Sequence, residues 1–353
     1  MRRGAAAALL LATLFCAVPP CRGDAPPHAR VLLYHRVGDT RYPSTNVSTE
    51  AFREQMGWLR DHGFHVVPTE VLEGFLRQGQ PLPAGAVAIH FDDGYRSVFD
   101  NALPVLREFG YPFTVFVATE AVERGYQDFV TWDQARELAL AGASFGAHGH
   151  RHLRLGAPEA GEPAARYAER IRAEFLEGAR RLRDRDFAIR WLAYPYGEYN
   201  SEVQRQAREA GFDLAFSQDP GAIGRAQDPY CLPRFAVVGA SADMTVFAER
   251  MSYLPLDLLG ETPPPGPLAV EAPGFVSAIV PAPEEYDLRQ GNVFLSEQGR
   301  LESRFDPRTG QVTAEVKGPL RRRLNRVLVS LRHKATGKFA LGAWLLVNPG
   351  GSP

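Results

Sequence analysis

From Ala29 to about Ala240, short apolar runs rich in β-branched and aromatic residues alternate with stretches whose apolar positions recur at helical spacing. Arg30-Val-Leu-Leu-Tyr34, Ala86-Val-Ala-Ile-His90, Phe113-Thr-Val-Phe-Val117 and Trp191-Leu-Ala-Tyr194 are continuous enough to read as strands buried on both faces. Between them, Phe52, Met56 and Leu59 mark a helix over 49–63, with Gly63 at its C′ position. Tyr167, Ile171, Phe175, Ala179 and Leu182 mark a longer helix from Pro163 to about Arg185. Strands that alternate with helices predict an α/β fold built on a largely parallel sheet or barrel.

The pattern breaks near Leu254. Residues 255–267 include Thr262-Pro-Pro-Pro-Gly-Pro267, which reads as a stiff, extended linker. Beyond it the period is two, in Leu301-Ser303-Phe305, Gln311-Val-Thr-Ala-Glu-Val-Lys317 and Val327-Val329-Leu331, with turns at Asp306-Pro-Arg-Thr-Gly310 and Ala335-Thr-Gly337. The expectation is a barrel-like domain over 24–254 and a small antiparallel β-sandwich over 268–353.

Residues 1–23 carry Arg2 and Arg3, then an uncharged Ala/Leu-rich run, and end in Cys21-Arg-Gly23, small enough at the −3 and −1 positions for cleavage. This predicts a signal peptide and a periplasmic or extracellular protein. An uncleaved signal anchor is the alternative, because the apolar run is close to membrane-spanning length. Cleavage after Gly23 removes Cys16 and Cys21 and leaves Cys231 unpaired, so a disulfide framework is excluded. With 40 Lys+Arg against 41 Asp+Glu and 45% apolar residues, the chain reads as neither disordered nor broadly polyanion-binding.

Three features carry chemistry: His35 after the first strand, His90-Phe-Asp92-Asp93-Gly94 at the end of another, and His148-Gly-His150-Arg-His152 after a third. In α/β barrels the strand C-termini converge on one mouth, so these groups can share a site. A carboxylate with two imidazoles gives a divalent metal three ligands and leaves positions open, as in catalytic zinc sites. Donors of this kind suit Zn2+, Co2+ or Ni2+. Adjacent Asp side chains at a strand end point apart, so one can ligate while the other acts as base.

These segments, with Thr131-Trp132-Asp133, Tyr194-Pro-Tyr-Gly197 and Leu232-Pro-Arg-Phe235, resemble the polysaccharide deacetylases, the family-four carbohydrate esterases with a NodB-homology domain. The likeness runs from about Arg30 to Val238 and is strongest to the exported poly-β-1,6-N-acetylglucosamine deacetylase-like branch, whose motifs are permuted. It implies a distorted (β/α)7-type barrel and a metal-dependent hydrolase that removes N-acetyl groups from an acetylated amino-sugar polymer. It further implies that Asp93, His148 and His152 hold the metal, that Asp92 is the general base and His35 the general acid, and that the Tyr196 amide stabilises the oxyanion. The turn that carries Tyr194, Pro195 and Tyr196 suits a wall against the sugar, and packing of the two tyrosines beneath the site is the alternative.

The chain departs from the family pattern at two places. Ala193 stands where an Arg would orient the base, and Arg234 is the expected substitute; Gly149 follows the first metal His in place of Ser or Thr. The missing Arg leaves open a catalytically degenerate glycan-binding protein. Peptidoglycan, chitin-like and O-acetylated glycans are alternative substrates. Lys317–Lys338 carries 8 basic residues and no acid, which reads as a solvated face or a contact for anionic glycan, a membrane surface or a secretion-system partner. No nucleic-acid motif accompanies the charge, so nucleic acid is not an expected partner.

Overall fold

The computed structural model describes residues 25–352; the predicted signal peptide lies outside them. The first domain is built on an eight-stranded parallel sheet, of which seven strands run in one path: β1 (Ala29–Tyr34), β2 (Ala86–Phe91), β3 (Phe113–Val117), β4 (Ala143–Ala147), β5 (Trp191–Ala193), β6 (Leu214–Phe216) and β7 (Phe235–Ala236), with the two-residue strand His65–Val66 paired beside β2. Their spatial order is β7-β1-β2-β3-β4-β5-β6. The ring closes where Leu232, just ahead of β7, bridges Phe216 of β6, with the Ser217 amide donating to the Leu232 carbonyl at 2.9 Å. Closure is uneven. β1 and β2 pair over six residues, whereas β4 and β5 share the single pair Ala147↔Leu192. At Gly146, next to that seam, a Cβ would lie 2.4 Å from the Phe116 ring. The distorted barrel is therefore as expected, and β1, β2 and β3 are buried on both faces.

Helices cover the outside. α1 (Thr49–Asp61) is capped by the Ser48 hydroxyl and buries Phe52, Met56 and Leu59. α2 (Trp132–Leu140) starts with a capping box between Thr131 and Gln134, which assigns Thr131-Trp132-Asp133 to helix initiation. α3 (Ala164–Arg183) buries the predicted stripe, and Glu174 with it.

The second domain is a sandwich of two sheets. One sheet runs β14 (Leu324–His333) between β10 (Tyr286–Leu295) and β15 (Phe339–Val347), with β11 (Gly299–Leu301) beside β10. The other orders β8 (Leu259–Thr262), β9 (Phe275–Ile279), β13 (Gln311–Glu315) and β12 (Ser303–Phe305). Val276, Val312, Val329 and Trp344 meet in the core between them. The Pro-rich stretch is not a free spacer. Leu254–Pro255 and Gly266–Pro267 run parallel along β15, and Leu259–Thr262 is an edge strand. Such edges tolerate the absence of the N–H donor that proline lacks, so residues 255–267 belong to the sandwich. No helix of the described residues is long and apolar enough to cross a membrane.

The two domains are packed together, with Leu341, Leu345 and Val347 of β15 in the barrel's core cluster. Arg323 donates to both oxygens of the buried Glu198, at 2.9 and 3.2 Å, and Arg326 to Asp219 at 3.0 Å. These two cations of the basic stretch are thus used inside the protein, which corrects the reading of that stretch as one solvated face.

Candidate active site

Every predicted site residue follows a barrel strand or lies beside one, and the structure gathers them at one end. His35 follows β1, Asp92 and Asp93 follow β2, His148 follows β4, and Arg234 precedes β7. The Asp92 amide continues the ladder by donating to the Tyr34 carbonyl at 3.0 Å, while Asp93 turns into the left-handed region at φ 71°. That turn sends the two carboxylates apart. His152 (φ 57°) and Tyr196 (φ 59°) share this unusual conformation, so three non-glycine residues with positive φ surround one point, the kind of strain that packing sustains at functional sites.

Asp93, His148 and His152 form the only group among the described residues able to hold a metal ion. Asp93 Oδ1 lies 3.2 Å from His148 Nε2 and 3.1 Å from His152 Nε2, and the two nitrogens are 3.2 Å apart. Donors about 2.0–2.1 Å from a tetrahedral cation are separated by roughly 3.3–3.4 Å, so this nearly equilateral triangle is one face of such a site. His148 Nδ1 donates to the Ala193 carbonyl at 2.8 Å, which leaves the Nε2 lone pair facing the triangle. Asp93 Oδ1 is buried without a hydrogen-bond donor. A buried, unsatisfied carboxylate oxygen opposite two imidazole nitrogens fits a cation. Burial alone would raise the Asp93 carboxyl, yet the two imidazoles hold it well below its ordinary range.

Asp92 stands outside the triangle, 3.9 Å from His148 Nε2. Both its oxygens accept from Arg234, at 2.8 and 2.7 Å. Arg234 is itself fully buried, with its guanidinium near the Phe116 and Phe216 rings and its Nε donating to the Ser217 carbonyl. Burial pushes the Asp92 carboxyl up, but Arg234 and the nearby imidazoles outweigh it, so the group stays below its usual value and ionised at neutral pH. His35 lines the same cavity, and its Nδ1 has no partner among the described residues. Burial draws its pKa down against the opposing pull of Asp93 and Asp92.

The cavity over the triangle is about 590 Å3 and is bounded by His35, Tyr95, His150, Tyr196, Leu324 and Arg326. Tyr196 lies with its ring between His152, 4.4 Å between centroids, and the Arg154 guanidinium, 3.9 Å from the ring centre. Tyr194 and Pro195 do not join it. Both are buried, and the Tyr194 hydroxyl donates to the Tyr230 carbonyl at 2.7 Å. The predicted sugar wall is therefore reduced to Tyr196, because a residue that packs inward beside β5 cannot also face the mouth. His150 is turned to Thr119, with Nδ1 2.9 Å from the hydroxyl, and His90 to Thr69, at 2.9 Å from Nε2.

Two residues beside the site were not picked out in the sequence. Glu174 of α3 accepts from the Arg151 amide at 2.6 Å and holds the loop that carries His152; an acid three residues after Ile171 on an apolar stripe was its signal. Arg326 reaches the mouth from the sandwich, and no local pattern announces it.

The fold and the site together define a NodB-type barrel. Residues 79–215 match the family model described as polysaccharide deacetylase. The Bacillus subtilis protein YxkH is 28% identical over 216 residues, covering 61% of this chain and 73% of that protein. The poly-beta-1,6-N-acetyl-D-glucosamine N-deacetylase of Escherichia coli K12 is 28% identical over 249 residues, covering 60% of this chain and 36% of the E. coli protein. Among solved structures, IcaB from Ammonifex degensii superimposes with a TM-score of 0.55 at 27% identity, over 64% of this chain and 98% of that one. The barrel domain is thus similar to the polysaccharide deacetylases.

Proposed function

We propose that this enzyme hydrolyses N-acetyl groups on an N-acetylglucosamine polymer of the poly-β-1,6-linked kind, with a divalent cation, Zn2+ by donor chemistry, held by Asp93, His148 and His152. The observation that carries the reading is a triangle of ligand atoms, two of its three residues buried, beside a second carboxylate that lies outside the triangle and is gripped by Arg234. The name of the E. coli relative supports the choice of polymer.

A cation bound there supplies Lewis acidity, which polarises an acetyl carbonyl and lowers the pKa of water toward neutrality. Asp92 accepts a proton from the attacking water as the new C–O bond forms. The Tyr196 amide donates to the oxyanion, an interaction worth about 3 kcal/mol when the donor is well placed. His35 then protonates the amine nitrogen as the C–N bond breaks. Acetate and a free glucosamine unit leave. One proton has been taken by Asp92 and one given by His35, so transfer between them or through solvent resets the site.

The absent motif-three Arg was the argument for a degenerate binding protein. Arg234 occupies the position that argument requires to be vacant, on both oxygens of Asp92. The reading includes export with cleavage after Gly23, which the N-terminal sequence of the secreted protein checks. The decisive experiment follows acetate release from acetylated glucosamine oligomers, with zinc and with chelator, across β-1,6-linked, chitin-like, peptidoglycan and O-acetylated substrates. Highest turnover on the β-1,6 series, lost on chelation, supports the proposal; no acetate from any substrate by zinc-loaded protein overturns it.

A further inference from the structure

The sandwich reaches the mouth of the barrel through β14. Alternation along the strand turns Val327, Val329 and Leu331 into the sandwich core, while Leu324 and Leu328 pack against the barrel. Arg326 lies on that second side and, with Leu324, bounds the cavity that holds Asp93 and His152. Its side chain is 22% exposed. Its Nε donates to Asp219 Oδ1 at 3.0 Å, and the same carboxylate accepts from the Tyr199 hydroxyl at 2.6 Å. The guanidinium is thus anchored and its charge is balanced. Its Nη2 is closed to solvent and has no acceptor among the described residues, whereas Nη1 also has no acceptor there but is not closed off, so the side chain's exposure at the mouth leaves this arm of the fork open to a ligand.

We infer, resting on the deacetylase reading above, that Arg326 is a specificity-determining residue supplied by the second domain. Its Nη1 arm binds a neutral oxygen, a hydroxyl or an acetamido carbonyl, on a sugar unit next to the one whose acetyl group lies at Asp93. Asp219 already balances the cation, so the site favours an uncharged polymer over one bearing carboxylates. The sandwich then forms one wall of the substrate cleft and is no detached binding module.

Arg326→Lys tests this in the full-length protein, because a lysine can keep the ion pair with Asp219 but presents no second arm of the fork. The probes are an acetylated β-1,6-linked glucosamine pentamer and a single-sugar acetyl substrate, read as KM and kcat for each, with calorimetric affinity for the pentamer and the melting temperature alongside. The expected result is a loss of about tenfold in kcat/KM on the pentamer, carried mainly by KM and matched in affinity, at least fivefold larger than the loss on the single sugar. Equal losses on both substrates, or an unchanged pentamer KM at an unchanged melting temperature, overturn the inference while leaving the deacetylase reading intact. Wild-type protein that neither binds nor deacetylates the pentamer overturns both. Should Arg326→Lys melt lower, Arg326→Gln with Asp219→Asn removes the buried charge pair as a unit, and the same substrate comparison decides.

Discussion

Arg234 holds the carboxylate of Asp92 with two parallel hydrogen bonds of 2.8 and 2.7 Å, and neither side chain is accessible to solvent. The pair joins residues 142 positions apart and sets both the direction and the ionisation of the group read as the base. Removing one member of a buried ion pair costs about 3–5 kcal/mol, because the other is left charged and unpaired. Arg234→Ala is therefore expected to lower stability by that amount and to abolish most activity. Arg234→Lys keeps a cation but not the planar fork, and kcat should fall about 10- to 100-fold with KM little changed. Wild-type kcat in a folded Arg234→Ala protein would sink the role assigned to this arginine.

The triangle makes a prediction about which imidazoles matter. His148 and His152 present Nε2 to Asp93, whereas His150 is directed to Thr119. Chelation should abolish acetate release, and zinc, cobalt or nickel should restore it. His152→Ala and Asp93→Ala should lose the ion at equilibrium dialysis, while His150→Ala should retain one per chain. Loss of the ion from His150→Ala but not from His152→Ala would reassign the ligand pair.

The loop that carries His148 and His152 is supported in a way that explains Gly149. At φ 74°, a Cβ on Gly149 would meet Glu174 Oε1 at 2.7 Å, and one on Gly178 would meet the Gly149 carbonyl at 2.4 Å. The loop and α3 therefore approach backbone to backbone, and the Glu174 carboxylate accepts from the Arg151 amide. Glu174→Ala should weaken metal affinity about 10- to 100-fold, as loss of groups that orient ligands does. Gly149→Ser should also impair the site, because the backbone is left-handed and the space is taken. An unaltered metal dissociation constant in Glu174→Ala would show that the loop holds itself.

What was legible in the sequence follows from which interactions are local. The parallel strands announced themselves because β1, β2 and β3 are buried on both faces and read as apolar runs interrupted only by Arg30, His90 and Thr114. The site was legible because Asp92-Asp93 and His148-X-X-X-His152 each put two functional groups within a few residues. Tyr194 and Tyr196 show the limit. They are two residues apart in one turn, yet the hydroxyl of the first is spent on Tyr230 and the ring of the second faces the mouth, a division set by a left-handed residue that no spacing reveals. The Pro-rich segment misled because its composition matches both a spacer and edge strands, and only β15 beside it decides. Arg326 was illegible for the same reason: its partner Asp219 is 107 residues away in the other domain.

Glu198 gives the domain contact a pH dependence. Its side chain is inaccessible, and it accepts from Arg154 at 2.7 Å, from the Gly156 amide at 3.0 Å and from both arms of Arg323. Burial pushes its carboxyl up, but Arg323 and Arg154 with that amide outweigh burial and hold it below its ordinary 4.5. A depressed carboxylate means that the unfolded chain binds the proton more readily. Its stabilising contribution is therefore complete above about pH 4.5 and fades as the pH falls through the lower folded value. Denaturant midpoints measured from pH 3 to 7 should drop on the acid side in the wild type and drop less in Glu198→Gln, which is also less stable at pH 7 because Arg323 and Arg154 lose their counter-charge. That substitution separates this group from Asp92 and Asp93, whose downward shifts contribute in the same direction and persist in the variant. Parallel wild-type and variant curves would mean that the link between barrel and sandwich does not depend on the ionised carboxylate.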